Sequence, residues 1–152
     1  MEKKELVAVY GSLRKGFHNH FLLTDSKYIG EFDTEPMYDL FSLGSYPALA
    51  LNGNTSVKME IYEVNQGTMI RLDALEGYSG PCSPNNLYDK IDIKTPYGLA
   101  HVYVYSYPLT TKVKVECGDW KVFKNDLNQE VTKKKQTEEE NERLFTSRHS
   151  IE

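Results

Sequence analysis

Short β-prone runs separated by turn residues constrain the fold of this chain more than any other feature. About seven such runs occur, and only two or three short segments between them suit a helix. Strands of a doubly wound parallel sheet alternate regularly with helices, so that architecture is not predicted. The runs are Leu6–Tyr10, Met37–Leu43, Tyr46–Leu51, Val57–Tyr62, Lys90–Lys94, Leu99–Tyr107 and Thr111–Val115.

A curled or closed mixed sheet with small helices around it accounts for this order of elements. We therefore predict an α+β fold, a small mixed β-barrel with short flanking helices. A chain of 152 residues can bury about 70% of its unfolded surface and needs no metal or disulfide to fold. Lysine and glutamate runs begin after residue 128, so we predict one domain over residues 1–127 and a charged C-terminal helix or tail over residues 128–152.

The charge and cysteine content argue against several classes of function. The net charge of −4 disfavours binding to a nucleic-acid backbone as the main activity. No apolar run is long enough for a membrane span or a signal peptide, so we predict a cytoplasmic protein with no membrane partner. Cys82 and Cys117 lack zinc-ligand spacing, and they fit a reducing compartment or a single bridge. An acidic surface without an obvious apolar patch favours a monomer.

The first candidate for chemistry is the loop after the first strand. Here a buried strand leads directly into a glycine loop that carries a hydroxyl and two cations, Tyr10-Gly11-Ser12-Leu13-Arg14-Lys15-Gly16. Successive backbone N–H groups in such a loop can bind an anion. The loop lacks the glycine spacing of a nucleotide site, so a single carboxylate suits it better than a triphosphate. An ordinary strand-to-helix turn is the alternative.

The second candidate is a carboxylate at the end of a short helix. Thr68 can cap a helix that ends near Glu76, with Gly77 as its stop. At 100° per residue Glu76 falls on the same arc as Met69, Leu72 and Leu75, which should face the core. Burial raises the pKa of a carboxyl group, and such a group can act as a general base near neutral pH. The alternative is that Glu76 bends out to solvent.

The segment His18-Asn19-His20 has the letters of a nuclease name but not the ligands of a nuclease site. The metal-binding residues that such a site requires, spread over a longer ββα unit, are not evident. We predict a surface or capping role for these histidines and no metal site.

Several motifs follow one another along the chain: Val9–Arg14, Tyr46–Leu49, Leu72–Tyr78, Ala100–Tyr105 and Gly118–Trp120. In this order they resemble the gamma-glutamylcyclotransferase-like family, particularly its gamma-glutamylamine cyclotransferase branch. Lys90 departs from the family pattern, in which arginine is frequent. The resemblance does not cover the lysine- and glutamate-rich tail.

The resemblance implies a small mixed β-barrel and a reaction that needs no cofactor. The α-amine of a γ-glutamyl compound attacks its own side-chain carbonyl, which releases 5-oxoproline and a free amine or amino acid. Glu76 would take the amine proton and return it to the leaving nitrogen, and Tyr10 with Tyr103 or Tyr105 would line the pocket or bind the carbonyl oxygen. The implied substrate-binding residues are Tyr10, Gly11, Ser12, Leu13, Arg14, Tyr103 and Tyr105.

Two other functions stay compatible with the sequence. A binding module on the same fold could hold a small ligand without converting it, because a fold does not determine a function. An interaction protein could act through the charged tail, and removal of the residues after Asn128 would then abolish its function.

Overall fold

A computed structural model describes residues 3–109 and 112–130 of the chain. They form eight strands, a 3-10 helix over His18–Leu23, where a short helix is predicted, and two α-helices. The first α-helix is α1 (Gln66–Leu75), and residues 120–130 belong to the second. The strands are β1 (Lys4–Val9), β2 (Lys27–Asp33), β3 (Tyr38–Ser42), β4 (Pro47–Leu51), β5 (Lys58–Asn65), β6 (Tyr88–Thr95), β7 (Gly98–Tyr105) and β8 (Val113–Lys114).

The chain divides into two compact units, Met1–Trp120 and Lys121–Glu152. All eight strands belong to the first unit. In the second unit, residues 121–130 are helical. The lysine and glutamate runs of the predicted tail lie outside the described residues, and the predicted domain boundary after residue 127 stays a prediction.

The strands of the first unit form two sheets. The larger sheet has the order β2-β5-β1-β7-β6, in which only β1 and β7 pair in parallel, and the smaller has the order β4-β3-β8. The predicted α+β class is confirmed. The pairings of the described residues do not close a barrel. Strand β3 pairs with β4 on one side and with β8 on the other, and none of these three strands pairs with an edge of the larger sheet.

Strand β5 is buried on both faces, which corrects the prediction of a half-buried strand. It lies between β2 and β1, and Met59, Glu60, Ile61 and Tyr62 are all buried. The alternation of apolar and polar residues predicts that Glu60 faces solvent. Glu60 is buried instead, because its carboxylate has buried hydrogen-bond partners, which are described below.

Strand β2 was not predicted from the sequence. Its register against β5 shifts between Tyr28 and Gly30, so the alternation of a regular strand is interrupted. Tyr97 lies against Gly30, where a Cβ would overlap its ring, and its hydroxyl donates to the Glu31 carbonyl at 3.0 Å.

Helix α1 begins earlier than predicted, and its N-cap is Asn65 rather than Thr68. The Asn65 side chain accepts a hydrogen bond from the Thr68 N–H at 2.8 Å. The predicted stop is confirmed, since Gly77 has a φ of +65° that favours glycine. Glu76 therefore occupies the C-cap position, where its N–H donates to the Leu72 carbonyl at 2.9 Å.

Cys82 and Cys117 are both exposed free thiols, so they form no bridge in this structure. None of the helices within residues 3–109 and 112–130 is both long enough and apolar enough to cross a membrane.

Candidate active site

A cavity of about 440 Å³ opens in the first unit where five parts of the chain meet. They are the end of β1 with its loop, the 3-10 helix, the β3–β4 hairpin, the end of α1 with the start of β6, and the end of β7. The cavity brings together most of the predicted site residues: Tyr10, Gly11, Ser12, Leu13, Glu76, Tyr103 and Tyr105. Arg14 is not among the residues that line it.

Glu76 is the one charged side chain among the described residues that line the cavity. Burial raises the pKa of its carboxyl group from an ordinary 4.5 to about 7. Within residues 3–109 and 112–130 no hydrogen bond or ion pair to this carboxylate offsets the loss of water. Leu75, predicted beside it on the core face, is 39% exposed and lines the cavity instead. A carboxyl group in this state can accept and return a proton near neutral pH.

The loop after β1 presents its N–H groups where the cavity begins. Its carbonyls are occupied: Arg14 N–H donates to Gly11, Asn19 N–H donates to Ser12, and the His20 ring donates to Leu13, at 2.9 to 3.1 Å. In the described part of the chain no acceptor is bonded to the N–H groups of Gly11, Ser12 and Leu13. Three consecutive residues with unbonded N–H groups thus line the cavity, and a run of this kind can bind a carboxylate.

Gly11 is required by the close approach of two elements. A Cβ at this position would overlap the ring of Pro47 at the start of β4. The hydroxyl of Tyr88 donates to the Pro47 carbonyl at 2.8 Å, which joins β6 to the same point. All three residues line the cavity.

The Ser12 hydroxyl is prepared to donate into the cavity. Its oxygen accepts a hydrogen bond from the Asn19 side-chain amide at 2.9 Å, and both residues are buried. Since the oxygen is engaged as an acceptor, its hydrogen remains available to an anionic ligand.

Arg14 supports the loop from behind instead of lining the cavity. It is 3% exposed; its Nε donates to Glu60 Oε2 at 2.9 Å and its Nη1 to Asp119 Oδ1 at 2.8 Å. Glu60 Oε1 also accepts from the Lys15 N–H at 3.0 Å and from the Tyr62 hydroxyl at 2.8 Å. This arrangement places the predicted substrate-binding Arg14 in a buried ion network beneath the loop, because distant acidic partners reach its guanidinium.

The three predicted tyrosines line the cavity, and their hydroxyl groups differ in whether they have a hydrogen-bond partner. Tyr10 donates to the Tyr103 carbonyl, and the Tyr103 hydroxyl donates to Asp73 Oδ1 at 2.6 Å. Lys90 Nζ binds the same carboxylate at 3.0 Å, so the residue that departs from the family pattern supports this bond. Tyr105 stacks edge-on against Tyr88 with ring centroids 5.3 Å apart. Of the three hydroxyls, that of Tyr105 alone has no partner among the described residues.

Several lining residues were not predicted as site residues: Asn19, Leu43, Tyr46, Pro47, Leu75, Leu87 and Tyr88. They come from turns and strand ends that only tertiary contacts bring to the cavity. Asn19 follows the glycine loop closely, and Leu75 precedes Glu76, so sequence proximity was the available signal for these two.

No group of three histidine, cysteine, aspartate or glutamate side chains within the described ranges could hold a metal ion. The histidines of the 18–20 segment instead contact the protein. His20 supports the loop through Leu13, and His18 lies 6.0 Å from the ring of Tyr46.

Residues 7–122 match the model of the gamma-glutamyl cyclotransferase, AIG2-like family. The chain belongs to this family. The match includes the loop after β1, Glu76 and every other residue that lines the cavity, so the family assignment and the geometry concern the same part of the molecule.

Relatives within the gamma-glutamyl cyclotransferase family cover most of the chain. A putative gamma-glutamylcyclotransferase of Vibrio cholerae is 39% identical over 117 residues, which are 77% of this chain and 96% of that protein. A gamma-L-glutamyl-butirosin B gamma-glutamyl cyclotransferase of Niallia circulans is 31% identical over 118 residues, 76% of this chain and 75% of that protein.

A solved structure of the family has the same fold. The solution structure of protein ytfP from Escherichia coli is 36% identical and superimposes with a TM-score of 0.60, covering 76% of this chain and 95% of that one. These relatives support a cyclotransferase that acts on a small γ-glutamyl compound.

Proposed function

We propose that this protein cyclises γ-glutamyl amides to 5-oxoproline and a free amine, with Glu76 as general acid and base. The observation that carries the proposal is the unpaired Glu76 carboxylate, whose pKa is near 7, in a cavity. The loop of Gly11, Ser12 and Leu13 supplies the second half of the site, a group of donors for the substrate α-carboxylate. A relative named as a gamma-L-glutamyl-butirosin B gamma-glutamyl cyclotransferase supports the same type of reaction.

The reaction needs no group from outside the substrate and this site. Glu76 removes a proton from the α-ammonium group, and the free amine attacks the side-chain carbonyl carbon. The new C–N bond closes the five-membered ring, and the ring nitrogen releases its second proton to solvent. The bond to the leaving nitrogen then breaks as Glu76 returns the first proton to it, which gives 5-oxoproline and the free amine. Because nucleophile and electrophile lie in one molecule, the protein mainly has to hold the substrate curled.

The tyrosines complete the proposed site. The Tyr105 hydroxyl is the donor we assign to the carbonyl oxygen, since the Tyr10 and Tyr103 hydroxyls are already engaged. Tyr10 and Tyr103 form rigid walls that limit the space around the reacting atoms. Arg14 acts as a positioning residue for the loop.

The direct test incubates the purified protein with a panel of γ-glutamyl amides and γ-glutamyl amino acids and follows 5-oxoproline by mass spectrometry. We expect equal amounts of 5-oxoproline and free amine from at least one compound. A folded protein that binds a panel member and releases it unchanged would contradict the proposal and would support a binding module on this fold.

The pH dependence of kcat/KM tests the state of Glu76. A base must be ionised, so activity should fall about tenfold per pH unit below the raised pKa near 7. The kcat/KM for one amide, measured from pH 4 to pH 9, gives the midpoint of this acidic limb. A midpoint near the ordinary 4.5 would show that no desolvated carboxyl group controls the reaction.

Ser12→Ala tests the carboxylate site. Loss of a hydrogen bond to a charged group costs about 1.5–3 kcal/mol, so KM should rise about tenfold or more. The bond is present in ground and transition states alike, hence kcat should change little. Ser106→Ala is the control, since Ser106 is exposed and outside the cavity. A fall in kcat with constant KM would contradict the assigned role.

A further inference from the structure

Glu76 shares the cavity with five tyrosines. They are Tyr10 at the end of β1, Tyr46 in the β3–β4 hairpin, Tyr88 at the start of β6, and Tyr103 and Tyr105 on β7. An ionised carboxylate is a stronger hydrogen-bond acceptor than a neutral oxygen. In the part of the chain that the structure describes, however, none of these hydroxyls donates to Glu76. The nearby donors must therefore be held by other acceptors.

Three of these hydroxyls are influenced by the charge of Glu76 but donate elsewhere. Burial is the main cause that raises the pKa of Tyr10, Tyr88 and Tyr103, and the negative charge of Glu76 contributes to each rise. The Tyr10 and Tyr88 hydroxyls donate to backbone carbonyls, which the fold itself fixes. The Tyr103 hydroxyl donates to a side chain, Asp73 Oδ1, at 2.6 Å.

Asp73 precedes Glu76 by three residues at the end of α1. Side chains three residues apart are neighbours on a helix surface, with Cβ atoms about 5–6 Å apart. The Tyr103 hydroxyl also contacts the Met69 sulfur at 3.7 Å, which is a weak acceptor. If Asp73 no longer held this hydroxyl, Glu76 would be the next carboxylate along the helix.

Lysine 90 fixes the Asp73 carboxylate in place. Lys90 Nζ lies 3.0 Å from Asp73 Oδ1 and 3.1 Å from Oδ2. Lys90 on β6 and Tyr103 on β7 are cross-strand partners, so the carboxylate is bound from two adjacent strands at once. The ammonium group also lies 4.9 Å from the centre of the Tyr78 ring. These contacts direct Asp73 toward Tyr103.

We propose that Asp73 is a positioning residue for the base: its carboxylate holds the Tyr103 hydroxyl, which would otherwise donate to Glu76. This inference rests on the proposed function, in which Glu76 must accept a proton. A hydrogen bond to a carboxylate stabilises its ionised form and makes it a weaker base. By engaging the Tyr103 hydroxyl, Asp73 keeps the Glu76 carboxylate without a donor and its pKa near 7.

A double-mutant cycle of Asp73→Ala and Tyr103→Phe tests this contact. The titration midpoint of Glu76 is measured in all four proteins from the acidic limb of kcat/KM. It is also measured by NMR of the glutamate carboxyl carbons, with the Glu76 signal assigned from the spectrum of Glu76→Gln. We expect Asp73→Ala to lower both midpoints by about one to two pH units, the effect of one hydrogen bond to a charged group.

The second substitution isolates the hydroxyl. Loss of the Asp73 charge and release of Lys90 are common to Asp73→Ala with and without Tyr103→Phe. We expect Tyr103→Phe to raise the midpoint of Asp73→Ala by about one pH unit or more, and to change that of the native protein little. Equal midpoints in Asp73→Ala and the double variant would overturn the inference. A rise in the native background would overturn it too, since the hydroxyl would then already donate to Glu76.

Two further measurements cover the other ways in which the experiment could fail. Asp73→Leu, with and without Tyr103→Phe, gives the same comparison if alanine prevents folding, because leucine favours a helix and accepts no hydrogen bond. A purely structural role of Asp73 would lower stability and leave the two midpoints equal, which would overturn the inference. Absence of 5-oxoproline from the native protein would overturn the proposed function, whereas the NMR midpoints need no turnover and still test the contact.

Discussion

Glu76→Gln is expected to lower kcat for 5-oxoproline formation about 10²-fold or more while the protein stays folded. Glutamine keeps the length and shape of the side chain but cannot accept the proton of the α-ammonium group. The α-carboxylate site of Gly11, Ser12 and Leu13 is unchanged, so the affinity for substrate should remain. Initial rates and a binding isotherm on the same amide measure the two effects separately.

The same substitution should increase stability at high pH, which excludes misfolding as the cause of lost activity. Above pH 7 the native protein holds an ionised, desolvated carboxylate, and a rise in its pKa from 4.5 to about 7 corresponds to a penalty of about 3 kcal/mol. Glutamine avoids this penalty but remains a buried polar group, so we expect a gain of about 1–3 kcal/mol at pH 8.

The raised pKa also determines how this gain in stability changes with pH. As pH falls through 7 the native carboxyl group takes up its proton, and below 4.5 it is neutral in both states. The advantage of Glu76→Gln should therefore shrink as pH falls and vanish near pH 4. Denaturant unfolding of both proteins at pH 8, 6 and 4 measures this difference in stability. A Glu76→Gln variant with native activity, or one that loses activity and stability together at pH 8, would contradict the assigned role.

The residues that we propose to take part in the reaction could be predicted from the sequence because their signals are local. A β-prone run that ends at Gly11 places a loop at the end of a buried strand. The helical arc of Met69 and Leu72 carries Glu76 toward the core, and Gly77 ends the helix behind it. Each of these inferences needs only residues that are close along the chain. In the structure Gly11 and Glu76 line one cavity, and Gly77 follows the C-cap of α1 with a positive φ.

The parts that were missed depend on contacts between distant segments. The family resemblance implied that Arg14 binds substrate, but the structure places its side chain in a buried ion network. Its partners Glu60 and Asp119 lie 46 and 105 positions away, and no local pattern signals them. In the same way, Pro47 and Tyr88 reach the cavity through the packing of β4 and β6 against β7.

Glu60→Ala is expected to destabilise the protein by about 3–5 kcal/mol, the cost of removing one partner from a buried ion pair. The Glu60 carboxylate is the acceptor for Arg14, the Lys15 N–H and the Tyr62 hydroxyl. In Glu60→Ala the Arg14 guanidinium keeps one acidic partner, Asp119, which is bonded to its Nη1 atom. Denaturant unfolding at pH 7 measures the loss.

Glu63→Ala on the same strand is the matched control. Glu63 lies near the surface, 4.0 Å from the exposed Lys4 Nζ, and pairs of this kind contribute about 0–1 kcal/mol. We expect Glu63→Ala to remain within about 1 kcal/mol of the native protein. Equal losses in both variants would show that the network beneath the loop is not a special source of stability.

The pH dependence separates the charge of Glu60 from its packing. Burial by itself would raise the pKa of Glu60, but the hydrogen bonds from Lys15, Arg14 and Tyr62 outweigh it and leave the pKa below 4.5. Its contribution is therefore present at neutral pH and is lost as the carboxylate takes up a proton in acid. The difference between the native protein and Glu60→Ala should shrink toward pH 3. A constant difference would assign the loss to an empty volume in the core instead of to the ion pair that holds the loop.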